Sequence, residues 1–135
     1  MIVMQKFVVP GEPVSKARHR VGRRNGRIVT YSDPKMVAAE KAVAAAYRKA
    51  AVPGPPLDVP VMLLARFYCE TRRRKDLDNL LKLVSDALNG VAYVDDAQVE
   101  KIAAEVHRGD PNPRSEVWVI PLADPEPNAE EAAAA

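Results

Sequence analysis

The sequence predicts a single α+β domain in which a mixed β-sheet carries two main helices on one face. Three observations predict this class. Stretches rich in β-branched and apolar residues recur along the chain, two stretches that favour helix lie between them, and 135 residues with 47% apolar content suffice for one core. We assign the domain to residues 1–122 and expect the acidic, alanine-rich residues 123–135 to be disordered.

The first half of the chain predicts a strand, a basic ribbon and a helix. Residues 2–9 are mostly apolar and partly β-branched, as in a strand. Residues 10–31 are basic and contain Asn25–Gly26, a strong hairpin signal. The Ser-Asp-Pro sequence at 32–34 offers caps and a first helical residue, and the alanine-rich body that follows favours a helix.

The second half predicts a buried strand at residues 59–70 and a helix from about Asp78 to Leu88, ended by Asn89–Gly90. Residues 97–108 and 115–122 predict two further strands joined by the turn sequence GDPNP. The first of these could also be helical. We favour strands because the apolar residues of the two segments would match in a paired ribbon: Val99, Ile102, Val106, Val117 and Val119.

Charge is divided unevenly along the chain. Residues 1–75 carry 16 Lys and Arg against 5 Asp and Glu, and residues 76–135 carry 4 against 13, so balances of +11 and −9 give the net +2. The basic half predicts a polyanionic partner. The single Cys69 excludes an internal disulfide and fits a reducing compartment. No segment predicts a signal peptide or a membrane span, so we expect a cytoplasmic protein with no membrane partner.

The predicted helix at 77–88 has an apolar stripe and a charged stripe. Leucine, valine and alanine share one side, and Asp78, Lys82 and Asp86 share the other at spacings of four. Such a charged stripe is often only a solvated face, and Asp78 could serve only as a helix cap or first-turn anion. The sequence alone leaves both interpretations open.

Two acidic pairs favour a metal site over that interpretation. Asp76 and Asp78 lie where an extended segment meets the helix, and Asp95–Asp96 follow soon after the helix ends. If residues 91–94 return alongside the helix, three carboxylates can converge. A cluster of oxygen ligands suits Mg²⁺ or Mn²⁺, which can activate a water for phosphodiester hydrolysis. Lys82 could then stabilise charge on the scissile phosphate.

The basic residues form two groups. Arg72, Arg73, Arg74 and Lys75 adjoin the predicted metal site, which favours phosphate positioning over a simple solvated loop. A second run lies at residues 15–27 and has no aromatic residues among its cations, so it suits duplex backbone contact better than single-strand stacking.

The stretch RRRKDLDNLLKLVSDALNG, followed by VAYVDDAQV, resembles the RusA family of Holliday-junction resolvases. The N-terminal GEPVSKARHR and YSDPK are similar to the opening segment of that family, and the resemblance covers roughly residues 5 to 120. It implies a RusA-like fold and a homodimer whose two sites nick opposed strands. Within it, VGRRNGRIV departs from the family's usual N-terminal loop, so the family's cleavage-sequence preference is not carried over.

The resemblance implies roles for individual residues. Asp76 and Asp78 match the acids that bind Mg²⁺, Asp96 matches the third catalytic acid with Asp95 as a weaker candidate, and Lys82 matches the essential lysine. Asn79 and Asp86 match recurrent positions with supporting roles. The residues expected to contact DNA are Lys16, Arg18, Arg20, Arg72, Arg73, Arg74, Lys75 and Asn79.

We therefore expect an Mg²⁺-dependent endodeoxyribonuclease, with Mn²⁺ as a possible substitute, that resolves four-way junctions by paired symmetric nicks in DNA recombination and repair. A bacterial or phage origin fits this resemblance. Two alternatives remain open: a non-catalytic module that binds branched DNA, and a less selective metal-dependent nuclease.

Overall fold

The computed structural model of the protein describes residues 4–17, 20–31 and 33–122. The predicted tail at 123–135 and the predicted contact residue Arg18 lie outside this part of the chain. The described elements, in chain order, are β1 Gln5–Pro10, β2 Arg20–Arg24, β3 Arg27–Tyr31, α1 Pro34–Ala50, β4 Val61–Cys69, α2 Leu77–Leu88, β5 Val99–Arg108 and β6 Arg114–Pro121.

Four strands form the main sheet in the order β1-β6-β4-β5. β4 pairs parallel to β5 and antiparallel to β6, and β1 pairs antiparallel to β6, so the sheet is mixed as the sequence predicts. The predicted pairing of β5 with β6 is wrong, because β4 lies between them. The reason is burial: alternate β4 residues, including Val61, Leu63 and Phe67, are fully buried, and burial is greatest at the centre of the sheet, where a strand lies on each side.

The two helices form because caps and apolar spacing agree. Asp33 caps α1 by accepting a hydrogen bond from the Lys35 backbone N–H at 2.9 Å, and Pro34 occupies the first turn. α2 ends at Leu88 with Asn89 as its C-cap, and Gly90 follows with a φ of +77°, the left-handed conformation expected after a helix. The helices pack on the sheet around one core, whose members include Met36, Val43, Leu80, Val84 and Leu88.

The basic ribbon predicted from Asn25–Gly26 is present as β2 and β3. Both turn residues have positive φ, +54° and +76°, as a two-residue turn between twisted strands requires. We call residues 20–31 the basic arm. It forms its own two-stranded sheet, separate from the main sheet.

The segment between α2 and β5 is held by side-chain hydrogen bonds. Tyr93 is fully buried, and its hydroxyl donates to the Ser85 carbonyl at 2.7 Å. Gln98 accepts from the Asp95 backbone N–H at 2.9 Å and donates to the carbonyls of Leu57 and Val59 at 2.8 and 2.9 Å. One amide therefore fixes the short 3₁₀ turn Asp96–Gln98 against the segment that leads into β4.

Neither described helix is long and apolar enough to cross a membrane.

Replacing Gln98 with alanine should lower the free energy of unfolding by about 1–3 kcal/mol, because it leaves the partly buried Val59 carbonyl without its donor and the Leu57 carbonyl with only the Val94 N–H. Urea denaturation measures this. Glu100→Ala, an exposed position two residues later, is the matched control and should change stability by less than about 0.5 kcal/mol. Equal effects of the two substitutions would contradict the structural role of Gln98.

Candidate active site

The start of α2 is where the acidic and basic parts of the chain meet. Asp76 occupies the N-cap position in an extended conformation, but its carboxylate makes no capping hydrogen bond. The backbone carbonyl of Asp76 instead accepts from the N–H groups of Asn79 and Leu80, each at 3.1 Å. The carboxylate of Asp76 is therefore exposed and is not used by the helix.

Asp78 and Lys82 lie on the exposed face of α2. Asp78 Oδ1 accepts from the N–H of Asn79 at 3.0 Å, in the first turn, where the helix dipole favours an anion. The predicted apolar stripe is confirmed on the other side, where Leu80, Val84 and Leu88 are buried. Within the described residues, Asp76, Asp78 and Lys82 take part in no ion pair.

Asp96 lies in the 3₁₀ turn and is exposed, whereas its neighbour Asp95 is engaged in a capping box with Gln98. Beneath this turn, burial raises the pKa of Tyr93 to about 12, and the negative charges of Asp96 and Asp86 add to that rise against the opposing hydrogen bond with Ser85. The Tyr93 hydroxyl therefore stays protonated and keeps donating to the Ser85 carbonyl.

The two acidic groups lie at opposite ends of the strands of the main sheet. By edges we mean these two ends of the strands and not the outer strands β1 and β5. Arg108, the last residue of β5, donates to the Lys75 carbonyl at 3.1 Å. The next residue, Asp76, therefore lies near the edge at which β4 and β5 end. Asp96 immediately precedes the start of β5. The nine residues of β4 span about 30 Å between those edges, at roughly 3.3 Å per residue.

The carboxylates consequently do not converge within one chain in the way the sequence suggests. Residues 91–94 do not return along α2. Instead, Tyr93 forms isolated β-bridges with Leu57 and Asn89 and lies at the edge opposite Asp76. Across the described ranges, no three His, Cys, Asp or Glu side chains are arranged to hold a metal ion.

Both lysines predicted to contact DNA, Lys16 and Lys75, form ion pairs with carboxylates of the chain itself. Lys16 Nζ lies 2.7 Å from Glu40 of α1 and 3.2 Å from Asp86 of α2. Burial alone would lower the pKa of Lys16, but its hydrogen bonds to the two carboxylates outweigh burial and raise it. The ammonium therefore joins the two helices.

Lys75 similarly holds the other end of the segment that contains Lys16, at Glu12 and Pro13. Its ammonium donates to Glu12 at 3.2 Å and to the Pro13 carbonyl at 2.7 Å. Glu12 also accepts from the Glu70 backbone N–H at 2.9 Å. Although burial opposes it, these hydrogen bonds hold the pKa of Glu12 below its usual value.

The remaining predicted DNA contacts are placed as follows. Arg72, Arg73 and Arg74 are exposed in the loop before α2, and the Arg72 guanidinium lies over Gly109. The backbone carbonyl of Asn79 accepts from the Lys16 N–H at 2.9 Å. Arg20 is the first residue of β2.

Sequence reasoning missed Glu12 and Glu40 as partners of the two lysines. For Glu12 a signal existed, because it is the sole acidic residue among the first 32. An isolated acid inside a basic segment indicates a specific ion pair. Glu40 gives no such signal, since a glutamate in an alanine-rich helix is ordinary.

Glu12→Gln should lower the free energy of unfolding at pH 7 by about 1 kcal/mol, a value that allows for partial exposure of the pair. Because the pKa of Glu12 is lowered on folding, its carboxylate stabilises the protein above the unfolded value of 4.5. That contribution disappears as pH falls through the folded pKa.

Urea unfolding at a series of pH values from 7 downward tests this, with Glu70→Gln, an exposed neighbour, as the matched control. The difference between wild type and Glu12→Gln should shrink on acidification, and the control should show no such trend. A pH-independent difference would contradict the assignment.

Comparison with known proteins identifies the family of the chain. No curated protein matches the chain. The family model described as endodeoxyribonuclease RusA matches residues 10–120, which include every described element except all but the last residue of β1 and the last residue of β6. The chain therefore belongs to the RusA family of endodeoxyribonucleases, hydrolases that act on branched DNA and resolve Holliday junctions.

Proposed function

We propose that this protein is a homodimeric, Mg²⁺-dependent endodeoxyribonuclease that resolves Holliday junctions by paired symmetric nicks in recombination and repair. The observation that carries the proposal is the start of α2, where the exposed carboxylates of Asp76 and Asp78, in no ion pair with a described cation, lie near Lys82 and the exposed loop Arg72–Arg74. Membership in the RusA family supports DNA hydrolysis. Acting on bacterial or phage DNA, the enzyme would work in the cytoplasm.

The donor set fits a hard divalent cation. Asp76 and Asp78 offer exposed carboxylate oxygens that pair with no described cation, although one oxygen of Asp78 also accepts from the Asn79 N–H, and Asp96 offers a third carboxylate. Oxygen ligands of this kind suit Mg²⁺, with Mn²⁺ as a substitute. When bound, the cation supplies Lewis acidity and an activated water for phosphodiester hydrolysis.

The cations of the chain bind and orient the substrate. Lys82 lies one helical turn beyond Asp78, so its ammonium can stabilise negative charge on the phosphate that those carboxylates face. Arg72, Arg73 and Arg74 can position neighbouring phosphates, as can Arg18 and Arg20. Lys16 and Lys75 would act mainly by fixing residues 11–17, since their ammonium groups are already paired.

The separation of the acids supports a dimer. If all three carboxylates serve one cation, a second chain must bring its Asp96 to Asp76 and Asp78, because those residues lie at opposite edges of one chain. A two-fold axis then makes two equal sites, as paired nicking of opposed strands requires.

Two other functions are distinguishable from this one. A non-catalytic module would bind junctions without cutting them, and its acids would only solvate the helix. A less selective nuclease would cut linear duplex as readily as junctions. Comparing cleavage of both substrates with and without Mg²⁺ separates the three.

Asp78→Asn should lower junction cleavage by at least about 100-fold while junction binding stays within a few-fold of wild type, because the amide removes a metal-binding charge. Gel cleavage and binding assays on one four-way junction measure both. Asp58→Asn, an exposed aspartate in another loop, is the control and should cut normally. Wild-type cutting by Asp78→Asn would refute the catalytic role.

Mixing Asp78→Asn with Asp96→Asn protein should restore nicking. Random reassortment leaves about one quarter of the sites with three acids if Asp96 acts across the dimer. The product should be mainly single nicks, since each mixed dimer has one complete site. Failure to recover any nicking, with subunit exchange verified, would show that each site is built within one chain or needs a different set of acids.

A further inference from the structure

The basic arm, residues 20–31, presents two chemically different faces. In the register of the ribbon, Arg23 pairs with Ile28 and Arg24 with Arg27. Because side chains alternate along a strand and paired residues share a face, Val21, Arg23 and Ile28 lie on one face. Arg24 and Arg27 lie on the other. We call the first the aliphatic face, because it carries both exposed aliphatic side chains beside Arg23, and the second the arginine face.

The aliphatic face is unusually exposed. Val21 and Ile28 are 70% and 71% exposed, more than any other described large apolar residue except Val52 at 72%. A two-stranded ribbon has no second layer to cover such side chains, and alone it is at most marginally stable. An external partner would cover them.

The charges of the arm identify that partner as a polyanion. Arg23, Arg24 and Arg27 are exposed, and within the described residues none has an ion-pair partner. Three uncompensated guanidinium groups within five residues attract phosphates. They would repel the same arm of a second copy.

The root of the arm lies beside the candidate active site. The Lys16 N–H donates to the Asn79 carbonyl, one residue after Asp78, and the Ala17 N–H lies 3.3 Å from the Met36 sulfur at the start of α1. Strands of five residues extend about 17 Å. DNA held at Asp78 is therefore within reach of the arm.

Aliphatic side chains gain nothing from phosphates, and in an intact duplex the faces of the bases are covered by stacking. Base faces become accessible where stacking is interrupted, and apolar side chains of DNA-bending proteins insert at such steps. On the basis of the function proposed above, we propose that Val21 and Ile28 pack against the base pair exposed at the branch point of a four-way junction. Arg24 and Arg27 then contact the adjoining phosphates. The arm thus reads the interruption of stacking rather than the sequence.

The double variant Val21→Thr/Ile28→Thr tests this inference, because threonine keeps the β-branched shape that the ribbon favours while removing aliphatic surface. Binding to a four-way junction and to a linear duplex of matched sequence is measured in EDTA, which prevents cutting. A junction with 2-aminopurine at the branch point reports unstacking in the same experiment.

We expect the double variant to lose about tenfold in junction affinity and stay within about twofold for duplex, since only the junction offers base faces to aliphatic side chains. The fluorescence rise at the branch point should also be lost. Val52→Thr, equally exposed but at the far end of α1, is the matched control and should behave as wild type. Arg24→Gln/Arg27→Gln should weaken junction and duplex binding alike.

Equal losses on both substrates, or no loss, would overturn the inference. A loss of junction binding accompanied by dissociation of the dimer in sedimentation would also overturn it, because the aliphatic face would then bind a second copy. If wild type itself does not prefer the junction to the duplex, the proposed function fails. If it does and the double variant keeps that preference, only the role of the arm fails.

Discussion

The arrangement of this protein around its candidate site depends on the ion pairs that hold residues 11–17 against the two helices. Lys16 places one ammonium between Glu40 and Asp86, and Lys75 binds Glu12 and the Pro13 carbonyl. These pairs are partly buried, so solvent screens them less than surface pairs. Together with the hydrogen bond from the Lys16 N–H to the Asn79 carbonyl, they fix the segment that leads into the basic arm beside the first turn of α2.

That constraint divides the cations of the basic half into two classes. Among the described side chains, those with carboxylate partners fix the structure. Those without an ion-pair partner, at Arg72–Arg74 and at Arg23, Arg24 and Arg27 of the basic arm, remain available to phosphates. The difference is not visible in a count of charges. It follows from which lysines lie within about 3 Å of an acid, and so from the packing of α1 against α2.

The separation of Asp96 from Asp76 and Asp78 has a structural cause. The buried Tyr93 and the amide of Gln98 tie the segment after α2 to residues 57–59, which precede β4. Because β4 and β5 are parallel, a turn that precedes one strand cannot lie near the loop that follows the other. A second chain related by two-fold symmetry is a physically simple way to join the two edges.

Local chemistry determined much of this protein from the sequence alone. Some features depend only on neighbours within a few residues, so the sequence predicts them without knowledge of the fold. They are the capping by Asp33, the Asn25–Gly26 turn and the apolar stripe of α2. The resemblance carried by residues 72–99 likewise identified the family. Only the tertiary structure decided that β4 separates β5 from β6, that Lys16 and Lys75 are paired, and that the acids lie at two edges. These depend on contacts between residues far apart in the chain, which strand pairing and burial select and local spacing does not encode.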